Sequence, residues 1–359
     1  MSYTAFDPTD FVVSVDAVTA PAWSSNLPTL ATFYTASTPT GTTGITQNAF
    51  YLNVYQTASS ANGAAVQFSI AYGNYAGSGS QYYNTLVPGI SPSLTTYKQY
   101  RTLVYGTALT ASNQGFNFGS TTAGATQNIY VLNVDRNRYK ESLFPGTFNL
   151  KLSGSAGQIQ LTDNSVDITR SNKTVTFLDC GRAYDIVSGS NGQAATTTNI
   201  GQTNNGYTTL GSYGLFLPDI GAIILNGDAL ALAANQGGIG LVNTTTPNTN
   251  TPSSSINNTA MFNAVSQSGY FQLNSYETVS ANYIFVRIKN GDYNYTTNPT
   301  YISGSGDLVY PTLINNPQTY ITTVGMYNTA NELLAVAKMS RPLLKDFTKE
   351  ALLRVKLDW

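Results

Sequence analysis

Short runs in which apolar and polar residues alternate, each closed by glycine, asparagine or proline, recur along most of this 359-residue chain. Phe50, Leu52 and Val54 alternate with Tyr51, Asn53 and Tyr55, and Val66, Phe68, Ile70 and Tyr72 alternate with Gln67, Ser69 and Ala71. Phe148, Leu150 and Leu152 repeat the pattern, as do Ile284, Val286 and Ile288, and finally Leu353, Val355, Leu357 and Trp359. A side-chain repeat of two belongs to a half-buried strand, because successive Cβ atoms point to opposite faces. The pattern predicts a mainly β fold with a few short helices, arranged as antiparallel sheets in sandwich-like domains with long polar loops.

Punctuation divides the chain into four segments. Residues 1–44, broken by Pro8, Pro21, Pro28 and Pro39, read as an extended N-terminal arm with one short strand, Phe11 to Val15. Residues 45–190 form a β-rich domain, in which Ser59 to Gly63 joins two strands and Gly73 to Ser80 ends the second. Leu94, Tyr97, Tyr100, Arg101 and Val104 fall at helical spacing there, with Ser93 as an available cap. Ile129 to Val134, Ile159 with Leu161, and Val175 with Phe177 continue the strand reading. Residues 191–259 form an insertion with two polar loops, Thr196 to Thr209 and Asn243 to Thr259, that bury little. Between those loops lie a buried strand, Leu215 to Leu225, interrupted by Pro218, and a short helix, Asp228 to Asn235. Residues 260–359 form a C-terminal hairpin-containing domain. Asn290-Gly291 predicts one hairpin with Tyr293 and Tyr295 on the return strand, and Tyr320 to Tyr327 pairs with Glu332 to Lys338 across Asn328-Thr329-Ala330-Asn331. Arg341-Pro342 is expected to end that second pairing.

Charged residues make up only 10% of the chain and the formal net charge is −1, so no long-range field draws in a phosphate backbone, and no nucleic-acid partner is expected. Little electrostatic repulsion opposes self-association either. Histidine is absent and Cys180 is the single cysteine, which excludes an intramolecular disulfide, histidine-based triads and the common zinc sites. The opening Met1 to Pro8 lacks a secretory pattern and no apolar run approaches the ~20 residues that span a bilayer, so the expectation is synthesis in a cytoplasm without membrane insertion.

No catalytic, cofactor-binding or metal-ligating residue emerges. With 18 Asp and Glu residues a glycosidase-like carboxylate pair is conceivable, but no spacing singles one out. Gly73 to Ser80 lacks the lysine and following helix of a phosphate loop. Asp135 to Glu141 is the densest charge cluster, either a partner contact or a solvated face. Tyr82-Tyr83, with Tyr72 and Tyr75, suits a stacking platform, an interface, or strand positions with one wet face. Cys180 reads as a small hydrophobe, with only Arg182 near it in sequence to activate its thiol.

The C-terminal region carries the most specific signal. Tyr320-Ile321-Thr322-Thr323-Val324-Gly325-Met326-Tyr327, followed by Glu332-Leu333-Leu334-Ala335-Val336-Ala337-Lys338, resembles a segment of phage tail proteins in which a strand ending I-G-L-Y precedes a turn and L-[LI]-A-V-[AG]-K. The final KDFTKEALLRVKLDW, the opening Phe6 to Val13, the Ile70 to Gly73 strand end and Tyr130 through Gly146 are similar to virion proteins of contractile-tailed, cyanophage-like bacteriophages. The resemblance implies a structural, non-enzymatic tail or baseplate-wedge-type component in the virion, present in multiple copies among other tail and baseplate proteins. The competing readings are a fibre-like receptor- or glycan-binding tail module, a neck or collar component, and a virion-attached glycan hydrolase. The candidate assembly contact is Tyr320, Ile321, Val324, Gly325, Met326, Tyr327, Leu333 and Leu334. There, Ile321, Thr323, Gly325 and Tyr327 share one strand face and Thr322, Val324 and Met326 the other, with Gly325 leaving room for close backbone approach.

Overall fold

The computed structural model describes residues 5–35, 51–77, 92–107, 115–118, 126–166, 175–195, 213–243 and 253–358. Its strands are, in chain order, β1 (Phe11–Pro21), β2 (Thr29–Leu30), β3 (Tyr34–Thr35), β4 (Leu52–Tyr55), β5 (Val66–Asn74), β6 (Asn128–Val134), β7 (Ser142–Leu143), β8 (Asn149–Gly154) and β9 (Gly157–Asp163). Then come β10 (Thr176–Leu178), β11 (Gly181–Ser190), β12 (Gln193–Ala194), β13 (Gly214–Leu217), β14 (Ala222–Asn226), β15 (Phe271–Gln272), β16 (Asn274–Ile288), β17 (Gln318–Tyr327), β18 (Leu333–Asp346) and β19 (Ala351–Asp358). Four α-helices lie among the described residues: α1 (Ser93–Tyr105), α2 (Gly227–Leu230), α3 (Ser253–Ser268) and α4 (Pro311–Asn315). The fold is mainly β and its strand pairs are antiparallel, as the alternation predicts.

The chain separates into two compact units, one of Met1–Ala17 with Thr278–Trp359 and one of Val18–Glu277. The larger unit is built on a curled half-barrel sheet, in the order β2-β15-β8-β9-β11-β13-β14-β6-β5-β4-β3, with β10 and β12 added to β11. Alternation sends Tyr130, Leu132 and Val134 of β6, and Ile223 and Leu225 of β14, into one apolar cluster. Ile129 and Val131, with Ala222 and Ile224, enter a second cluster on the opposite face. Helix α3 supplies Met261, Ala264 and Val265 to the first, and α1 supplies Tyr97, Tyr100 and Val104 to the second. Because both faces are covered, β5, β6 and β14 are buried nearly throughout, where alternation alone predicted half-burial. Phe271 anchors the first core, its ring 4.9 Å from Trp23 and 5.3 Å from Phe68.

Several local expectations are corrected. β1 runs to Pro21, past the short strand expected from Phe11 to Val15. Ser93 lies inside α1; Pro92 precedes the helix and gives no side-chain cap. Gly73 belongs to β5 and not to a connection after it. A Cβ there would meet Ile129 Cγ1 at 2.8 Å and the Tyr97 backbone at 3.0 Å, so glycine is what lets α1 lie against the strand. Leu215 to Leu225 is a hairpin, β13 and β14, because Pro218 and Gly221 close a turn through the Gly221 N–H to Pro218 C=O bond. The expected helix from Asp228 becomes the single turn α2, capped by Asn226.

The second polar loop stops at the start of α3, and Asn257 and Asn258 are buried in that helix. Its middle, 244–252, lies outside the described residues, as do Tyr82, Tyr83 and the whole of Thr196 to Thr209. Asn290-Gly291 gives no return strand. Asp292 accepts the Lys289 N–H at 2.8 Å, and Tyr293 takes a left-handed φ of 56°. The carbonyls of Asn290 and Asp292, with Asn294 Oδ1, then converge on the buried Lys345 ammonium. The partner of β16 is β19, in register from Ala281↔Asp358 to Ile288↔Ala351.

Candidate assembly surface

No described residue of the smaller unit belongs to either apolar cluster. Its sheet is β16 flanked by β1 and β19. Asp7 caps the turn Pro8–Asp10, and Asp10 then meets Arg287 of β16 at 2.7 Å, which fixes where β1 begins. Buried apolar side chains are confined to Ala281, Ile284, Ile288 and Pro317 among the described residues of this unit. Large apolar residues stand exposed along β1 (Phe11, Val12, Val13, Val15) and along β18 (Leu333, Leu334, Val336). Such exposure in one small unit departs from the scattered single residues that are the norm on a monomer and makes these strands a candidate contact surface.

β17 and β18 form a separate two-stranded sheet. The pairing expected from sequence is present, with Val324↔Ala337, Gly325↔Val336 and Tyr327↔Leu333. It does not end at Arg341-Pro342. Ile321↔Leu343 and Thr323↔Lys338 are the pairs on either side of a bulge in which Thr322 faces Met339 to Pro342, and β18 resumes to Asp346. Proline is tolerated because residues inside a bulge owe no ladder hydrogen bond.

The candidate contact residues divide by face. Val324 and Met326 are half-buried with Ala335 and Ala337 opposite, and Val324, Ala337 and Met339 line a depression of about 250 Å³ against Leu353 and Val355 of β19. On the other face the Tyr327 ring and Leu333 lie over Gly325, where a Cβ would meet Tyr327 Cε2 at 3.0 Å. The room left by Gly325 is therefore used by the hairpin's own tyrosine. Leu334 is the extra residue of a second bulge and is 64% exposed; Tyr320 is 63% exposed and Ile321 half-buried. Val336, 57% exposed, joins this surface although sequence reasoning passed over it. Its signal was its place opposite Gly325, whose missing side chain leaves its cross-strand neighbour unshielded.

Electrostatics here are local. Hydrogen bonds from the Thr348 hydroxyl and Lys349 hold the Asp346 carboxyl down at about 2, which fastens the turn into β19. Lys356 pairs with Asp358 at 2.8 Å and is raised mainly by that bond.

The other sequence features of the larger unit are used structurally. Tyr72 is fully buried with its hydroxyl on Asn128 Oδ1, so it has no wet face, and Tyr75, just past the end of β5, is half-buried with its ring edge-on against Tyr97. In the charge cluster, Asp135 caps the turn Arg136–Arg138, and Arg136 bonds the Tyr139 carbonyl and covers its ring at 4.7 Å. Arg182 grips Asp219 through its backbone N–H and guanidinium, donates to Ser142 Oγ, and lies over Tyr276. Burial alone would raise the Asp219 carboxyl, but the Arg182 bonds outweigh it and hold it below the usual range. Cys180 is half-buried, with its thiol pushed up chiefly by burial. Among the described residues no group of three or more histidine, cysteine or acidic side chains comes together, and no helix is long and apolar enough to cross a membrane. No protein-family model, curated protein or solved structure matches the chain.

Proposed function

We propose that this chain is a structural subunit of a tailed bacteriophage particle, a tail or baseplate component that works through protein–protein assembly. The observation that carries the reading is the β17–β18 hairpin. It is a two-stranded sheet with Tyr320, Leu333, Leu334 and Val336 exposed, in the segment whose sequence resembles the recurrent element of tail proteins. A lone two-stranded hairpin is marginal in water, so one that exposes this much apolar surface gains most from burial against a neighbour. Low charge suits the same role, because few ions need desolvating when large interfaces close.

The test is complementation with Leu334→Asp and Val336→Asp. Both side chains are exposed, so the variants should fold with unchanged circular dichroism yet enter particles at under a tenth of the normal level. Normal incorporation of both would remove the hairpin from assembly, and a null mutant that makes complete, infective particles would remove the structural reading itself.

A further inference from the structure

We infer that the β1-β16-β19 sheet of the smaller unit continues from one copy of this chain into the next, with the β1 edge of one copy pairing on the β19 edge of its neighbour. In the order β1-β16-β19 both outer strands have a partner on one side only, and no other described strand pairs with either open edge. Natural edge strands are kept short, or carry lysine, proline or bulges that prevent pairing. β1 lacks these guards over Phe11 to Ala17: it reads FVVSVDA, with one acid, no base and no proline. It is a long apolar edge that no other described strand covers.

Charge and face select the partner. β1 holds Asp16 and no base, with Asp7 and Asp10 just before it, whereas β19 holds Arg354 and Lys356 against Asp358, which pairs with Lys356. Pairing β1 with another β1 brings two acids and no base to the ladder, and β19 with β19 brings two net-positive strands together; like charges across a ladder destabilise it. β1 on β19 sets a net-negative strand against a net-positive one. The faces agree as well, because alternation puts Phe11, Val13 and Val15 on one side of β1 and Ser14 and Asp16 on the other. On β19, Leu353, Val355 and Leu357 face one way and Arg354 and Lys356 the other. Arg354 and Lys356 both lie over the Tyr283 ring of β16, and within one chain the Asp16 charge acts on Lys356. A continued sheet thus sets apolar stripe beside apolar stripe and acid beside base. Because the two surfaces differ, the contact is head-to-tail and yields a ring if the rotation closes and a filament if it does not. This contact rests on the structural-subunit reading for its biological setting.

Two full-length variants on a Cys180→Ala background test it, one carrying Ser14→Cys and the other Arg354→Cys, each with a single thiol. Mixed and treated with a short bismaleimide, they should give dimers containing one of each, while either alone stays monomeric on a denaturing gel. Val13→Lys, an exposed position that would set a charge beside the neighbour's Leu353, Val355 and Leu357 stripe, should raise the dissociation constant by at least about tenfold in sedimentation. Crosslinks mainly between like variants, or chains that remain monomeric at all concentrations, would overturn the contact. A monomer that still enters particles would sink the contact and leave the structural reading standing. A head-to-tail oligomer excluded from particles would do the reverse.

Discussion

Asp163 closes β9 with its carboxylate buried, accepting the Gly146 N–H at 2.8 Å and the Ser165 N–H at 2.9 Å. Burial pushes its carboxyl above the usual range, and the hydrogen bonds only partly offset that. A folded pKa above the unfolded value means the folded state holds its proton longer, so stability falls as pH rises from the unfolded pKa through the folded one. Asp163→Asn keeps an Oδ1 acceptor for both N–H groups without the charge. Urea melts of the variant should therefore show equal or higher stability at pH 7 and a flatter profile through the acid range; a clear loss at pH 7 would show that the charge itself is needed. Gly73→Ala tests packing in the same way, because its Cβ would press on the Tyr97 backbone. Overpacking of this kind costs typically 1–3 kcal/mol, which a shift in urea midpoint at constant slope would read. Neither residue was legible beforehand: Gly73 looked like part of a flexible connection, and Asp163 was one acid among eighteen. What singles each out is a neighbour distant in sequence.

The elements show where local pattern suffices and where it fails. The pairings β4–β5 and β17–β18 follow from alternation and turn composition, since both partners are close in the chain. The Asn290-Gly291 hairpin fails because a residue more than fifty positions away, Lys345, takes the carbonyls that would otherwise close it. The burial of β6 on both faces depends on two helices far off in sequence. The polar run from Asn243 marks the same limit, since Asn257 and Asn258 look like loop residues and are buried in α3. Shortening the run within 245–251 should shift the melting temperature by no more than a few degrees, because loop-closure entropy changes by only about 0.6 kcal/mol per halving of length. A deletion reaching 256–259 should lose far more, as it shifts Met261 and Ala264 out of the core. If both deletions cost the same, the helix is not what anchors this segment.

At the scale of the whole molecule, apolar burial is divided unequally. Both core clusters lie in the unit of Val18–Glu277, while the described residues of the unit formed by the two chain ends leave valine, leucine and tyrosine exposed along their strands, with Ala281, Ile284, Ile288 and Pro317 as the buried apolar residues. Local stability follows buried contacts, and amide exchange reports it segment by segment. In dilute solution the amides of β5, β6 and β14 should exchange slowest, through global unfolding. Those of β1, β17, β18 and β19 should exchange orders of magnitude faster despite being hydrogen-bonded in ladders. On self-association or incorporation into particles the order should change selectively: protection should rise in β1, β18 and β19 and stay constant in β5, β6 and β14. Hydrogen exchange read by mass spectrometry at two protein concentrations separates the outcomes. Uniform protection across both units in the dilute chain would mean that the ends are already stable alone, and assembly would then have no apolar surface there left to bury.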